Sequence, residues 1–183
     1  MLSTLDPKIF SSIEENAEHR DFRKGEYLFH QDEVCRKIFW IRKGICRNYY
    51  LHDGKEITTE ILFPGDFLKS AKSFVLDIPA QEFAQAITDV ETWSLTRSRF
   101  NSLKEQHPEL QKLGLYLVER HSLWLEDRLF QFQTQDATTL YLNLIQRCPE
   151  MIKTVPLTYI ASYLGISLET LSRIRSRIAK NII

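Results

Sequence analysis

The chain has 183 residues, 43% of them hydrophobic, so it can bury a substantial core and is not a disordered chain. Its net charge of zero hides an asymmetry, because residues 151–183 hold five Lys or Arg against one Glu, which leaves +4 there and −4 in residues 1–150. No apolar run approaches the roughly 20 residues of a membrane span, which predicts a soluble, cytoplasmic protein with no membrane partner.

Residues 3–18 are predicted to form a short amphipathic helix. Pro7 suits a first turn, and Ile9, Phe10 and Ile13 recur at helical spacing.

Between residues 27 and 93 the hydrophobic pattern changes to period two, which is typical of strands. Asp53-Gly54 separates two alternating segments and favours a tight hairpin, because glycine tolerates positive φ. Several short antiparallel strands at regular spacing predict a β-roll or jelly roll. The alternating positions are Ile45, Tyr49 and Leu51 in the first segment and Ile57, Thr59, Ile61 and Phe63 in the second.

A long helix is predicted from Pro108 to about Phe132, after a shorter one over residues 97–104. So long an apolar helix needs more cover than one small β-domain offers on one side. A second stripe could pack on the C-terminal helices of the same chain or on a second copy in a homodimer. The main stripe, assigned to a dimerisation helix, is Leu110, Leu113, Leu117 and Trp124, and beside it lie Val118, Leu125 and Leu129.

Two short helices joined by Gly165 are predicted near the C-terminus. They follow a predicted helix over residues 137–148 and a connecting segment, 150–155. Ser167 can cap the second helix of the pair. This spacing is typical of a helix-turn-helix unit, with an ordinary helical hairpin as the alternative. The inward positions are Leu157, Ile160, Ala161 and Leu164, then Leu171, Ile174 and Ile178.

The outward side of the second helix is polar and basic. Arginine can bond guanine edges, glutamate can accept from cytosine, and serine or lysine can hold phosphate. A helix that binds a protein partner should instead expose aromatic residues or leucines. The predicted DNA-binding residues are Ser167, Glu169, Thr170, Ser172, Arg173, Ser176, Arg177 and Lys180.

Five segments together resemble the Crp/Fnr transcription regulators: FRKGEYLFHQDE, IFWIRKG, HDGKEI, FPGDF and YIASYLGISLETLSRI. The resemblance implies an α+β fold in three parts. A cyclic-nucleotide-binding-like antiparallel β-roll would span residues 1–106, a long dimerisation helix 107–133, and a helix-turn-helix domain 134–183.

The family's recognition-helix pattern matches residues 167–173 with one departure. Glu169 and Arg173 match the usual base-reading positions, while Leu168 replaces the usual arginine. The resemblance therefore implies an operator that differs at one position.

The sensor departs further from the cyclic-nucleotide-binding members. Their Gly-Glu pair that holds the ribose corresponds to Leu68-Lys69-Ser70 here, and their arginine that holds the cyclic phosphate corresponds to Glu82. Because a carboxylate repels a phosphate, cyclic AMP is predicted not to bind. Lys69 or Lys72 could serve a different anion. The candidate effector pocket consists of Phe63, Gly65, Asp66, Lys69, Ser70, Glu82, Phe83 and Ala84.

Metal, redox and catalytic chemistry find little support in the sequence. Cys35, Cys46 and Cys148 are too few and too scattered for a disulfide framework or an iron–sulfur site, and the five histidines form no H-x-H or H-x-x-x-H pair. Because no nucleophile–base or metal-ligand spacing is present, the chain is predicted not to be an enzyme and to carry no cofactor.

The predicted function is that of a bacterial homodimeric regulator that binds a pseudo-palindromic DNA site through a recognition helix over residues 168–178. Only five residues follow Ile178, so the β-hairpin wing of other members is expected to be reduced or absent. RNA polymerase would be a partner if the protein activates transcription, and a small-molecule effector remains unidentified. The alternative is a sensor or protein-interaction module that uses the same β-roll without binding DNA.

Overall fold

The computed structural model describes residues 7–181. The first helix, α1 (Pro7–Asn16), buries Ile9 and Ile13, which confirms the predicted amphipathic helix from its first described residue. Residues 3–6 of the predicted helix lie outside the described part of the chain. The helix ends before the predicted residue 18, because Glu18 already begins the first strand.

Residues 18–96 form two four-stranded antiparallel sheets, which confirms the predicted β-roll. One apolar core fills the space between them, with Phe22, Ile41 and Val90 from the first sheet and Cys46 and Ala84 from the second. The strand order is β1-β8-β3-β6 in one sheet and β2-β7-β4-β5 in the other. The strands are β1 (Glu18–Phe22), β2 (Tyr27–Phe29), β3 (Lys37–Lys43), β4 (Cys46–His52), β5 (Lys55–Leu62), β6 (Phe67–Leu68), β7 (Phe83–Ala86) and β8 (Val90–Thr96).

The predicted hairpin joins β4 to β5. His52 pairs with Lys55, so Asp53 and Gly54 alone make the turn, with φ of 49° and 71°. Two successive positive φ values fit the twist of the flanking strands, and glycine adopts this conformation without steric cost.

A bulge at Asn48/Tyr49 changes which side of the sheet the β5 residues face. Asn48 pairs with Glu60, whereas Tyr49 pairs with Thr58, so Thr59 is the extra residue. Leu62 therefore lies in the core of the roll, whereas Ile61 and Phe63 pack on the C-terminal helices. The predicted single face of Ile57, Thr59, Ile61 and Phe63 was wrong, because the bulge at Thr59 places Ile57, opposite Tyr50, and Ile61, opposite Arg47, on different sides of the sheet.

Seven further helices follow in residues 71–181 of the described chain. The predicted long helix is α4, whose 26 residues extend about 39 Å. Thr96 and Asp136 cap α3 and α5 by accepting hydrogen bonds from the backbone N–H groups of Arg99 and Thr139. The helices are α2 (Ala71–Leu76), α3 (Arg97–Gln106), α4 (Glu109–Thr134), α5 (Ala137–Arg147), α6 (Pro149–Thr154), α7 (Leu157–Tyr163) and α8 (Leu168–Asn181).

The segment predicted as a connection over residues 150–155 is mostly helical, and that prediction was wrong. Pro149 ends α5 as expected, but it also occupies the first position of α6, where its fixed φ suits a helix and its missing N–H costs nothing. Met151 and Val155 then enter the same core as α7 and α8.

Within residues 7–181, no helix is both long enough and apolar enough to cross a membrane.

Candidate nucleic-acid interface and effector pocket

Helices α7 and α8 meet at a tight turn. Gly165 follows α7 with φ of 69°, and the backbone N–H of Ile166 donates to the carbonyl of Ala161 at 3.0 Å, which closes the end of the helix. The backbone N–H of Thr170 donates to Oγ of Ser167 at 3.1 Å, so Ser167 caps α8 as predicted.

One buried core holds the pair of helices in place. Every inward position predicted from spacing lies in this core, either buried or packed against it, together with Tyr141 of α5 and Met151 of α6. A small residue at Ala161 allows the helices to cross closely. The inward residues are Leu157, Ile160, Ala161, Leu164, Leu171, Ile174 and Ile178.

The outer side of α8 forms a groove of about 440 Å³. Its lining contains polar and basic side chains only, and all five are among the eight predicted DNA-binding residues. The groove is lined by Ser172, Arg173, Ser176, Arg177 and Lys180.

The three remaining predicted residues lie at the N-terminus of α8, away from the groove lining. Ser167 and Thr170 bond each other through their hydroxyls at 3.1 Å. The backbone N–H of Glu169 and the hydroxyl of Ser167 lower the pKa of the Glu169 carboxyl, so this exposed group stays ionised as an acceptor at neutral pH.

Arg177 lines the groove and also contacts another helix of its own chain. Its guanidinium donates to Oγ1 of Thr138 at 2.6 Å, at the N-terminal turn of α5. Its positive charge also contributes to lowering the pKa of Asp136, after the larger effect of the hydrogen bonds from Thr139. Arg177 therefore ties α8 to α5, a role that helical spacing could not show.

The outer face of the β4–β5 hairpin holds α7 through a polar contact that the sequence did not predict. Oγ of Ser162 accepts from the backbone N–H of Thr58 at 2.8 Å and donates to the carbonyl of Glu56 at 2.8 Å. Arg47, 1% exposed, lies between the rings of Tyr49 and Tyr159, at 4.2 and 3.6 Å from their centroids.

Arg47 is also fully engaged within the sheet. Its guanidinium forms an ion pair with Glu56 and donates to Oε1 of Gln85 at 2.8 Å. A buried arginine needs such partners, because an unpaired buried charge is costly. The arginine therefore fixes the helix-turn-helix unit against the roll.

Two residues of the main apolar stripe of α4, Leu110 and Leu113, pack on their own chain, and their assignment to a dimer contact needs correction. Leu110 is fully buried and packs with Leu103 and Trp40, and Leu113 packs on the same cluster. Leu117 and Trp124 are half-buried. A second copy cannot reach Leu110, because α1, α3 and the roll already cover it.

The exposed apolar stripe lies beside it and contains all three residues of the predicted second stripe. Its residues recur at alternating steps of three and four, as in a coiled-coil seam, with Ser122 at the one polar position. The five apolar side chains are between 44% and 61% exposed in the single chain. This exposed stripe consists of Leu115, Val118, Leu125, Leu129 and Phe132.

Two predicted pocket residues point away from the interior of the roll. Phe63 packs against the C-terminal helices, and Phe83 stacks on Tyr49 at 5.0 Å between ring centroids, on the outer side of the sheet. Ala84 and Glu82 lie two residues apart on the inner side, and Ala84 is fully buried in the roll core.

Gly65 and Asp66 build the turn before β6. The N–H of Gly65 donates to the carbonyl of Ile41 at 2.8 Å, and the carboxylate of Asp66 accepts from the N–H of Phe63 at 2.8 Å. These contacts give both residues a structural role.

The last two predicted pocket residues come after β6. Ser70 is fully buried, and its hydroxyl has no partner among the described residues. The ammonium of Lys69 lies 5.2 Å from the ring centroid of Phe74, and burial lowers its pKa.

The sequence analysis missed four residues of β4, β5 and α4 that lie close together. Asn48 and Glu60 face each other across β4 and β5, Tyr50 follows on the same side, and His121 approaches from α4 with 3.7 Å between Nδ1 and Oε1 of Glu60. Burial raises the pKa of Glu60, while the charge of His121 and the hydrogen bond from Asn48 oppose that shift. Only the register created by the bulge brings these residues together.

Two of the three cysteines are placed as inert thiols, whereas Cys148 is half-buried. Cys35 and Cys46 are buried, and burial raises the pKa of both. Over residues 7–181 no group of three or more His, Cys, Asp or Glu could hold a metal ion.

Comparisons with known proteins agree with this architecture. A family model described as a cyclic nucleotide-binding domain matches residues 19–107. The transcriptional activatory protein AadR of Rhodopseudomonas palustris is 27% identical over 184 residues, covering 92% of this chain and 74% of that protein. The transcriptional activator protein anr of Pseudomonas aeruginosa is 24% identical over 174 residues, covering 88% and 70%.

Among solved structures, FixK2 from Bradyrhizobium japonicum is 22% identical, covers 91% of this chain and 86% of its own, and superposes with a TM-score of 0.75. This likeness confirms the predicted fold, a cyclic-nucleotide-binding-like roll followed by a long helix and a helical C-terminal part.

Proposed function

Because the chain belongs to the Crp/Fnr family of transcription regulators, we propose that it binds double-stranded DNA as a homodimer, with α8 as the recognition helix. The observation that carries this proposal is the groove on α8, whose lining is made of serine, arginine and lysine side chains alone. Such a surface offers hydrogen-bond donors and positive charge to phosphates and base edges.

The dimensions and chemistry of α8 suit the major groove. Its 14 residues extend about 21 Å, and a major groove about 12 Å wide admits an α-helix. Arg173 is exposed in the groove lining and is assigned the guanine contact. Lys180 lies two turns further on and is assigned a phosphate contact. Glu169, ionised near the start of α8, is assigned to a cytosine amino group.

The exposed stripe on α4 supports the homodimer. A seam of apolar residues at coiled-coil spacing is buried when two parallel copies of the helix pack together. Two-fold symmetry would present two α8 helices to successive major grooves about 34 Å apart, which requires a pseudo-palindromic site. The homodimer therefore uses Leu115, Val118, Leu125, Leu129 and Phe132 and not Leu110, which its own chain already buries.

The partners beyond DNA follow from the same assignment. Both AadR and anr are described as activators of transcription. We propose that this chain likewise acts on RNA polymerase, in the bacterial cytoplasm where the chromosome lies. The proposal excludes cyclic AMP as the effector, because the resemblance aligns Glu82, which is buried, with the arginine that holds the cyclic phosphate in cyclic-nucleotide-binding members.

The alternative of a protein-interaction module is less well supported. A helix that docks a protein partner exposes large apolar anchors, but Leu168 is the single exposed large hydrophobic residue on the described part of α8. All other exposed side chains on that helix are polar, charged or small.

A selection for bound duplexes from a random DNA library tests the proposal. We expect the purified protein to enrich a palindrome with half-sites one helical turn apart. Arg173→Ala should lower affinity for that palindrome at least tenfold and relax the sequence preference at one base pair per half-site, because a bidentate arginine–guanine contact contributes about 1–3 kcal/mol.

Arg175→Ala is the matched control. Arg175 lies on the same helix and is exposed, but it does not line the groove, so its removal should leave the selected sequence unchanged. Failure to enrich any motif, with protein alone and again with a small-metabolite extract from cells, would contradict the proposal.

A further inference from the structure

The outer face of the sheet β1-β8-β3-β6, turned away from the roll core, carries a row of aromatic side chains. His19, Trp93 and Trp40 pair with one another across β1, β8 and β3. The ring of His19 stacks on that of Trp93 at 4.7 Å between centroids, and the rings of Trp93 and Trp40 meet edge to face at 5.3 Å. Phe10 of α1 contacts both indole rings, at 5.7 and 6.1 Å. The row is therefore a packed, rigid surface.

A β-bulge places one arginine on these rings. The pairing of β3 with β8 shifts between Ile41 and Lys43, so Arg42 is the extra residue of β3. Cζ of its guanidinium lies 4.1 Å from the ring centroid of Trp40 and 4.4 Å from that of Trp93. A bulge re-aims a side chain, and stacking on indole rings restricts a guanidinium to one position. Arg42 is thus held in place although it is exposed.

A cavity of about 380 Å³ lies beside the stacked arginine. This volume is within the range of small-molecule sites in proteins. Charged and aromatic side chains from three adjacent strands line the cavity. The charged ones are Asp21, Arg42, Lys43 and Glu91, and the rings are those of His19 and Trp93.

Two of the four charges neutralise each other, and two have no partner in the described chain. Nζ of Lys43 lies 2.9 Å from Oε1 of Glu91. Within residues 7–181, neither the guanidinium of Arg42 nor the carboxylate of Asp21 forms a hydrogen bond or a salt bridge. Asp21 belongs to β1 and Arg42 to β3, on either side of β8, so their backbones are about 10 Å apart. The cavity therefore presents one available cation and one available anion at separate positions.

We infer that this cavity binds a small zwitterion, a molecule that carries both a carboxylate and an ammonium group, as amino acids and short peptides do. The planar guanidinium of Arg42 holds the carboxylate through two parallel hydrogen bonds, and the carboxylate of Asp21 accepts from the ammonium.

Ligands of a single charge fit this cavity less well. An anion alone meets the carboxylates of Asp21 and Glu91, and a cation alone leaves Arg42 without a partner. A metal ion is not favoured either, because the described residues include no group of three or more His, Cys, Asp or Glu suited to ligate one. The inference does not rest on the proposed DNA binding, since the site contains no residue of α4 or α8.

Isothermal titration calorimetry of the full chain, without DNA, tests the inference. The zwitterionic probes are glycine, 4-aminobutyrate and triglycine, which separate their two charges by increasing distances, and butyrate and n-butylamine carry one charge each. We expect saturable binding of at least one zwitterion, at least tenfold tighter than that of either singly charged compound. Asp21→Asn and Arg42→Gln should each weaken it about tenfold, because each removes a charge-assisted interaction.

The indole N–H signals in a ¹H–¹⁵N NMR spectrum locate the bound zwitterion. The signal that disappears in Trp93→Phe should shift during the titration of the parent, because Trp93 lines the cavity. The signal of Trp124, which belongs to α4, should stay unchanged. A shift at Trp124 without one at Trp93 would contradict this location.

Glu18→Gln is the matched control. Glu18 is also an exposed carboxylate on β1, but it pairs with Lys37 and does not line the cavity, so the affinity of this variant should match the parent. No saturable binding of any zwitterion up to about 10 mM, parental affinity in both Asp21→Asn and Arg42→Gln, or equally tight binding of butyrate or n-butylamine would each overturn the inference. Because the assay contains no DNA, failure here is distinct from failure to enrich an operator.

Discussion

Helices α4 and α8 each keep one long face uncovered in the single chain, and the two faces are opposite in character. The uncovered face of α4 carries five large apolar side chains, from Leu115 to Phe132, whereas that of α8 carries arginine, serine and lysine. Exposed apolar area at coiled-coil spacing is buried by another protein surface. Converging basic side chains instead attract a polyanion. The molecule thus separates assembly from recognition on two different helices.

The largest expected effect comes from charging the apolar face. Leu125→Glu combined with Leu129→Glu would place four like charges in the seam of a dimer. The protein should become monomeric in sedimentation velocity, and its affinity for the palindrome should fall by about 10²-fold or more, because the second half-site no longer adds avidity.

Leu142→Glu serves as the control for that pair. Leu142 is 45% exposed on α5, outside the exposed stripe, so the variant should remain dimeric. A double variant that stays dimeric and binds DNA normally would show that another surface joins the subunits.

The salt dependence of DNA affinity tests the role of the basic face of α8. Lys180→Ala should make the plot of log affinity against log salt concentration less steep by about 2 for the dimer, since each phosphate contact contributes a slope of roughly 0.9. Sedimentation should show an unchanged dimer. An unchanged slope would remove Lys180 from the phosphate contacts.

A substitution at Arg47 tests whether this side chain fixes the helix-turn-helix unit to the roll. This role is separate from the apolar face of α4 and the basic face of α8. Arg47→Ala removes the ion pair with Glu56, the bond to Gln85 and the stacking on Tyr159, so the free energy of unfolding should fall by about 2–3 kcal/mol in urea titration. Arg36→Ala, which loses only an exposed pair with Asp77, should cost less than about 0.5 kcal/mol. Equal losses would contradict this role.

The smallest effect is expected from Glu60. Its pKa lies above 4.5 in the folded chain, so its stabilising contribution is present below about pH 4.5 and is lost as the pH rises through the folded pKa. Glu60→Gln keeps an acceptor for Asn48 and removes that loss. Its Tm should match the parent near pH 4 and exceed it by a few degrees near pH 7. A lower Tm than the parent at neutral pH would contradict a desolvated carboxylate.

Local spacing was sufficient to predict the helix-turn-helix unit. Its turn, cap and inner face depend on residues within about twenty positions, so Gly165, Ser167 and Leu171 could be assigned from the sequence. The Asp53-Gly54 hairpin was equally local.

The features that the sequence did not predict depend on contacts between residues that are far apart in the chain. The row of Asn48, Glu60 and Ala84 requires a bulge between β4 and β5, and no residue type in this segment predicts that bulge. The two stripes of α4 could both be found by spacing, but only the position of α4 on the roll shows that Leu110 is the covered one. Family resemblance placed Phe63 and Phe83 in a pocket that they do not line.

The most direct test of the central claim is methylation-interference footprinting of guanine N7 on the selected palindrome. The account predicts interference in two major-groove segments on one face of the duplex, centred about 10 base pairs apart, and loss of the guanine signals in Arg173→Ala but not in Arg175→Ala. One continuous segment, or a pattern that Arg173→Ala leaves unchanged, would contradict recognition by α8 of a homodimer.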